Sequence, residues 1–293
     1  MRLVTIRNFG EETVAVRLGE AVLPMPALNR LAGADFPVEF RELLESGRLE
    51  ALAETVRRLQ AERGEAVARE SVPLTECRFG PLYRHPSKIW GIGLNYREHA
   101  GDLNAVHPTE EPASFMKADT TIIGPGDDIV LPPQSARVTA EAELAVIIGK
   151  RCKDVPLEEA PAVVAGFTTV IDMTAEDILQ KNPRFLTRAK NFDTFFSFGP
   201  EFVTVDEVAD VHALTVGTYI NGRLHRENVV ANMTFRPWFL VSFHSQVMTL
   251  LPGDIISTGT PGAAVIRPGD VAECRIDGFL SLVNPVRGVH REA

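Results

Sequence analysis

Hydrophobic positions fall into two textures along the chain. In the first eighty residues, Leu3-Val4-Thr5-Ile6, Ala15-Val16-Arg17-Leu18 and Ala21-Val22-Leu23 predict short strands, with turns at Gly10 and Gly19. Leu49, Leu52, Val56 and Leu59 then recur at three- and four-residue steps, with Arg57, Arg58 and Glu62 elsewhere on the wheel. That spacing predicts a helix closed by Gly64. Residues 66–86, carrying Pro73, Gly80, Pro81 and Pro86, read as a connector. From Lys88 to about residue 286, apolar runs alternate with turns rich in Gly, Pro and Asp, and helical spacing is confined to 96–104, 174–181 and 235–249. Pro252-Gly253-Asp254 and Pro268-Gly269-Asp270 mark strand starts, without a sustained repeat. The expected fold is α+β and β-dominated, with a small N-terminal α/β domain over 1–80 and a β-rich domain over 86–286.

The 293 residues are 45% hydrophobic and 24% charged, which predicts a globular chain with a sizeable core. Lys and Arg total 30 against 39 Asp and Glu, a net charge of −9. That excess argues against a general nucleic-acid binder but leaves room for a locally positive site for an anionic substrate. No run approaches the roughly 18 apolar residues of a membrane-spanning helix. Arg7 and Glu11-Glu12 also interrupt the N-terminus before a signal-peptide core can form. A cytoplasmic protein with no membrane partner is expected. Cys77, Cys152 and Cys274 are odd in number and far apart, so they give neither a disulfide framework nor a zinc spacing. Lys150, Arg151 and Lys153 around Cys152 would lower its thiol pKa, against the ordinary reading of a free cytosolic thiol.

Four stretches carry candidate chemistry. In Glu141-Ala142-Glu143-Leu144-Ala145-Val146-Ile147-Ile148, strand alternation puts Glu141 and Glu143 on one face with Ala145. Such a pair either faces water or has something positive between its members. The apolar run Gly166–Ile171 ends in Asp172, where Thr174 and Asp177 read as a capping-box-like helix start. Three carboxylates suit a hard cation such as Mg²⁺, Mn²⁺ or Ca²⁺ and not zinc, although a Glu-x-Glu face is also commonly just solvated. His99 and Asp102 lie one helical turn apart, as either a general base with its orienting acid or a surface pair. Lys117 and Lys190 sit among apolar residues, aimed inward or snorkelling. Ser257-Thr258-Gly259-Thr260-Pro261-Gly262 offers hydroxyls and backbone N–H groups to a carboxylate or oxyanion, or is simply a turn.

Taken in order, several strings form one pattern over roughly 86–286. They are Gly93-Leu94-Asn95-Tyr96 with His99-Ala100, Phe115 with Lys117, Ile123-Gly124-Pro125, Glu141-Ala142-Glu143-Leu144 and Asp172-Met173-Thr174-Ala175. Further on come Lys190 with Phe192-Asp193-Thr194, Gly199-Pro200, Asn221-Gly222, Pro252-Gly253-Asp254 and Thr258-Gly259-Thr260-Pro261. This pattern resembles the fumarylacetoacetate hydrolase (FAH) family. The resemblance implies an FAH-type mixed β-sandwich roll, a homodimer, and Mg²⁺ or Mn²⁺ held by Glu141, Glu143 and Asp172 (Ca²⁺ in a crystal). It implies that His99 activates water with Asp102 as its partner, and that Lys190 is catalytic. It gives substrate binding to Lys117 and Thr260.

The implied chemistry passes through the enolate of a small keto acid. The leading expectation is hydrolysis of the C–C bond of a 2,4-dioxo acid. The alternatives are an oxaloacetate-type decarboxylase, or an isomerase (tautomerase) of aromatic-acid catabolism. A catalytically idle scaffold is the competing class. The chain departs from the family pattern at Asp102, where Glu is usual, and at Ala140, where an aromatic residue is usual. It departs again at Glu176, which stands in place of a cation, and at Leu179 and Arg226, each in place of a Gln. These departures imply an altered far end of the substrate pocket, with Arg184, Arg188 or Arg226 replacing the missing cation; Arg188 is the expected substrate contact.

Overall fold

A computed structural model describes residues 1–8, 10–102 and 106–288, with the side chains of His99, Ala100 and Asp102 left out of the description. The chain opens with β1 (Arg2–Ile6), β2 (Thr13–Leu18) and β3 (Ala21–Pro24), to which β4 (Val72–Pro73) adds an edge. Between β3 and β4 run α1 (Met25–Ala32), α2 (Phe40–Glu45) and α3 (Leu49–Glu70). The predicted N-terminal strands all form. Gly64, however, does not end the helix: α3 continues to Glu70 across non-helical angles at Arg63 (φ −135°, ψ 31°). Burial of Val67 beyond the kink gives the second half a reason to persist. The expected connector over 66–86 therefore begins only after this helix.

Next come β5 (Ile89–Gly93), α4 (Arg97–Asp102), β6 (Ala113–Lys117), β7 (Ile122–Ile123) and β8 (Ile129–Leu131). Two long strands follow, β9 (Val138–Ile148) and β10 (Val164–Ala175), with α5 (Ala160–Val163) between them. After β10 come α6 (Glu176–Lys181), α7 (Leu186–Lys190), β11 (Phe196–Thr204), the hairpin of β12 (Thr215–Ile220) and β13 (Arg223–Val229), and α8 (Pro237–Val247). The last strands are β14 (Ile255–Ser257), β15 (Ala264–Ile266), β16 (Val271–Ile276) and β17 (Leu282–Gly288). Gly253 and Gly269 adopt φ of +83° and +91° in the two Pro-Gly-Asp turns. Each turn delivers the chain into a strand, as its composition predicts.

Among the described residues the strands make two sheets. The larger follows the order β4-β3-β2-β1-β11-β10-β9-β14-β5-β6, with β15 and β7 off that path. The smaller follows β13-β12-β16-β17-β8. The N-terminal strands join the larger sheet through the antiparallel pair β1·β11. Strand alternation then divides β9 between two cores. Ala140, Ala142, Leu144, Val146 and Ile148 face the core beneath the smaller sheet. Ala145 and Ile147 face a second core shared with α1, α2 and α3. Each fully buried aliphatic side chain here stabilises the fold by roughly 1.5–3 kcal/mol. Thr139, Glu141 and Glu143 point the same way as Ala145, but further along the strand, where β6, α7 and the 257–262 turn take over from the N-terminal helices. No described helix is long and apolar enough to cross a membrane.

Candidate functional site

β9 and β10 pair antiparallel with Asp172 opposite Glu141 and Val170 opposite Glu143. Paired residues share a face, so the register brings the three carboxylates together. One oxygen from each lies within 4.8 Å of the other two, and all three residues are buried. Asp172 is thus three residues inside its strand, not at its end. Thr174 is a strand residue as well, and α6 starts after Ala175 with no side-chain cap. The Thr174 hydroxyl donates to Glu141 Oε1 at 2.6 Å instead, and Thr139 Oγ1 reaches the same oxygen at 3.2 Å. Asp177 accepts from Ser135 Oγ and the Ala136 N–H. The expected capping box does not form because Thr174 is still in the strand, one residue before the N-cap position at Ala175, and its side chain faces Glu141.

The positive charge that the acidic pair demands comes from two buried lysines. Lys190 ends α7, and its Nζ lies 2.9 Å from Glu141 Oε2 and 2.6 Å from Asp172 Oδ2, with the Phe115 ring centre 4.9 Å away. Lys117, on the edge strand β6, places Nζ 2.6 Å from Asp172 Oδ1 and also donates to the Lys190 carbonyl. Burial would lower the pKa of Lys190, but the charges of Asp172, Glu141 and Glu143 together carry it above its ordinary value. Burial wins at Lys117, whose pKa falls despite Asp172, with Lys190 adding repulsion. Glu143 is pushed up to about 8, first by burial and then by the Asp172 charge.

The 257–262 turn does hold a carboxylate, and it is the chain's own: Glu143 Oε2 accepts from Ser257 Oγ and, at 2.9 Å, from the Gly259 N–H. Gly259 has φ +98°, and a Cβ there would sit 2.8 Å from the Asn95 Cβ and 2.9 Å from the Ile92 carbonyl. Thr260, buried, closes the turn through the Gly262 N–H at 3.2 Å. Asn95 donates to the Phe235 and Thr258 carbonyls and accepts from the Phe235 N–H. It fixes the end of β5 against this turn, a role the sequence reading did not assign.

His99 and Asp102 lie on α4, directly after Asn95 and Tyr96. Their side chains are outside the described residues, so the expected base and its acid are placed by backbone alone. Tyr96 is buried, and burial together with Glu143 and Glu98 raises its hydroxyl pKa. Arg188 and Arg184 are exposed on and before α7. Arg226 lies against Gly262, with its Cδ 2.7 Å from where a Cβ would be. Glu176 accepts from Arg137 Nε at 2.6 Å and Gln180 Nε2 at 3.3 Å. Arg137 was not singled out from the sequence, although extending the alternation back from Glu141 reaches it. Cys152 does not have the lowered pKa its neighbours suggest: burial and then Asp254 raise it.

A divalent cation fits this donor set. The three candidate ligands are all oxygen, one oxygen of each lies within 4.8 Å of the other two, and when all three are ionised they outnumber the two ammonium groups that face them. Asp172 Oδ1 is buried without a well-aligned hydrogen bond, its contact with Lys117 being an ion pair out of line. Fold and site together define a two-sheet β-roll carrying a buried tricarboxylate centre of the kind that could hold a hard cation.

The family model for the fumarylacetoacetate (FAA) hydrolase C-terminal domain matches residues 88–287. The chain belongs to the fumarylacetoacetate hydrolase family. It is 39% identical over 259 residues to the mitochondrial oxaloacetate tautomerase FAHD2B of Bos taurus, covering 85% of this chain and 80% of that protein. It is similar, at 30% identity and a TM-score of 0.77, to the structure of 5-carboxymethyl-2-hydroxymuconate delta-isomerase from Mycobacterium smegmatis, covering 99% of this chain and all of the other. Maleylpyruvate hydrolase from Sphingobium sp. SYK-6, in complex with manganese(II) ion and pyruvate, superposes at a TM-score of 0.80 with 28% identity over 98% of this chain and 99% of that one. These relatives are enzymes with hydrolase, isomerase and tautomerase activities.

Proposed function

We propose that this chain is a divalent-metal-dependent enzyme that forms the enolate of a 2-oxo acid, with Glu141, Glu143 and Asp172 holding Mg²⁺ or Mn²⁺. The observation that carries this reading is the convergence of three buried carboxylates opposite two buried lysines. A bound divalent cation would supply Lewis-acid stabilisation of the developing enolate oxygen. The chain's own groups do the rest. Ser257 and the Gly259 N–H fix one oxygen of Glu143, and the two threonines fix one oxygen of Glu141, so the ligands are orientated before any ion arrives. The Lys190 ammonium is held beside the reacting region by two carboxylates, where it adds positive charge next to a developing oxyanion. The Asn95 clamp fixes the backbone just before α4, the helix that carries His99.

Within this class, tautomerisation of an oxaloacetate-like acid is supported by the likeness to the bovine tautomerase. Hydrolysis of a 2,4-dioxo acid is the second reading, supported by the likeness to maleylpyruvate hydrolase. It needs a water activated by His99, with Asp102 as its orienting partner. A homodimer in the cytoplasm is part of the same proposal, by family resemblance. Oxaloacetate and a 2,4-dioxo acid, each with Mg²⁺ or Mn²⁺, separate the outcomes by ultraviolet absorbance and product mass. Enol loss without fragmentation marks the tautomerase, and two acid fragments mark the hydrolase. Absence of metal-stimulated turnover with any 2-oxo acid would overturn the enolate reading.

A further inference from the structure

The β9–β10 register continues past the carboxylates. Asp172 faces Glu141 and Thr174 faces Thr139. The Glu176 N–H then donates to the Arg137 carbonyl at 2.9 Å, so the pairing extends by one more row. Because alternate strand residues share a face, that face carries a carboxylate row and a threonine row, and the Arg137–Glu176 ion pair follows where the two strands end. Exposure rises in the same direction, from 1% at the Asp172 side chain to 52% at Arg137. The line therefore runs from the buried centre towards solvent.

Arg137 is held in place to a degree an incidental surface arginine is not. Glu176, itself only 9% exposed, takes its Nε and is braced in turn by Gln180. Asp177 clamps Ser135 and Ala136 just before it. With Nε committed, the two terminal nitrogens keep an edge that matches a carboxylate in a two-pronged geometry.

We infer that Arg137 determines specificity by binding the far carboxylate of an extended 2-oxo diacid whose 2-oxo end lies at the tricarboxylate centre. This deepens the enolate reading and rests on it. The two end rows are four residues apart, about 13 Å along the strand, and the arginine stem closes part of that gap. A short diacid such as oxaloacetate therefore gains less from Arg137 than a longer one.

The test is calorimetric titration of the full chain, in saturating Mn²⁺, with pyruvate, 2-oxohexanoate and 2-oxoadipate. Wild type is expected to bind 2-oxoadipate about tenfold more tightly than the length-matched monoacid, equivalent to about 1.4 kcal/mol. Arg137→Gln should bring that ratio below about twofold, and Arg137→Lys, which keeps the charge but loses the fork, should retain part of it. Melting curves confirm that the variants are folded; should Arg137→Gln not fold, Arg137→Lys carries the test, and a ratio as large as wild type refutes the fork. A wild-type ratio near one, or a ratio undiminished in Arg137→Gln, overturns the inference while leaving the enolate reading standing. If wild type binds pyruvate no better than a buffer blank, the enolate reading falls and this inference falls with it.

Discussion

Replacing Lys190 with Met keeps most of the side-chain volume and removes one buried ammonium. The structure sets the size of the effect. Nζ touches Glu141 and Asp172 at 2.9 and 2.6 Å, and all three residues are buried. Breaking a buried pair from one side costs about 3–5 kcal/mol, because the partner charges stay behind unpaired. In a chain of 293 residues that corresponds to a fall in melting temperature of roughly 5–8 °C. The ordering with metal is equally specific. Lys190 occupies oxygens that a cation would use, so a dication should substitute for the lost ammonium. Excess Mn²⁺ should therefore raise the melting temperature of Lys190→Met by more than it raises wild type; for scale, a ligand at a hundredfold its Kd adds about 2.7 kcal/mol. Adding Glu141→Gln to the variant should restore part of the stability lost without metal, since it removes the stranded charge. Differential scanning calorimetry of the single and double variants, with EDTA or Mn²⁺, reads all of this. A metal-free fall under about 2 °C, or a Mn²⁺ shift no larger than in wild type, would refute the reasoning.

Three further outcomes are expected. Gly259→Ala places a methyl group against the Asn95 Cβ and the Ile92 carbonyl at a φ that L-residues avoid, so it should cost at least about 2 kcal/mol by urea unfolding and weaken the hold on Glu143. Cys274, pushed up to about 12 by burial, should resist iodoacetamide in the native protein at pH 8 and react only on denaturation, as mass spectrometry of labelled peptides would show. Burial alone would raise the pKa of Asp127, but the Arg7 guanidinium and the Gly124 N–H hold it below the usual carboxylate value. Its stabilising contribution is therefore present above about pH 4 and lost as pH falls through the lower folded value. The difference in urea midpoint between wild type and Asp127→Asn should shrink over that acid range and stay flat from pH 6 to 8.

Much of the site was legible because strand alternation is a local rule. Glu141 and Glu143 share a face with Ala145, and the demand for a positive partner followed from their mutual repulsion. The identity of that partner needs tertiary structure: Lys190 and Lys117 reach the acids from a short helix and an edge strand distant in sequence. The reading of Thr174 as part of a helix cap failed because the strand runs on to Ala175, which puts Thr174 one residue before the N-cap and turns its hydroxyl towards Glu141. Gly64 failed as a stop because Val67 still had a core to enter. Arg137 leaves no local signal of its partner, because it stands one residue before β9 and meets Glu176 only once the two strands are paired. The N-terminal strands were found by pattern. Their junction with β11 was not, since pairing across some two hundred residues leaves no periodic trace.

The central claim is that Glu141, Glu143 and Asp172 grip one divalent ion. Titration of metal-free protein with Mn²⁺, followed by electron paramagnetic resonance, tests it most directly against Glu143→Gln. That variant suits the purpose because burial pushes Glu143 up to about 8, so a neutral amide of the same shape is a milder change to the metal-free protein there than at the other two ligands. The account predicts one Mn²⁺ per chain in wild type and at least a tenfold weaker affinity in the variant; absence of stoichiometric binding, or affinity unchanged by the substitution, would contradict it.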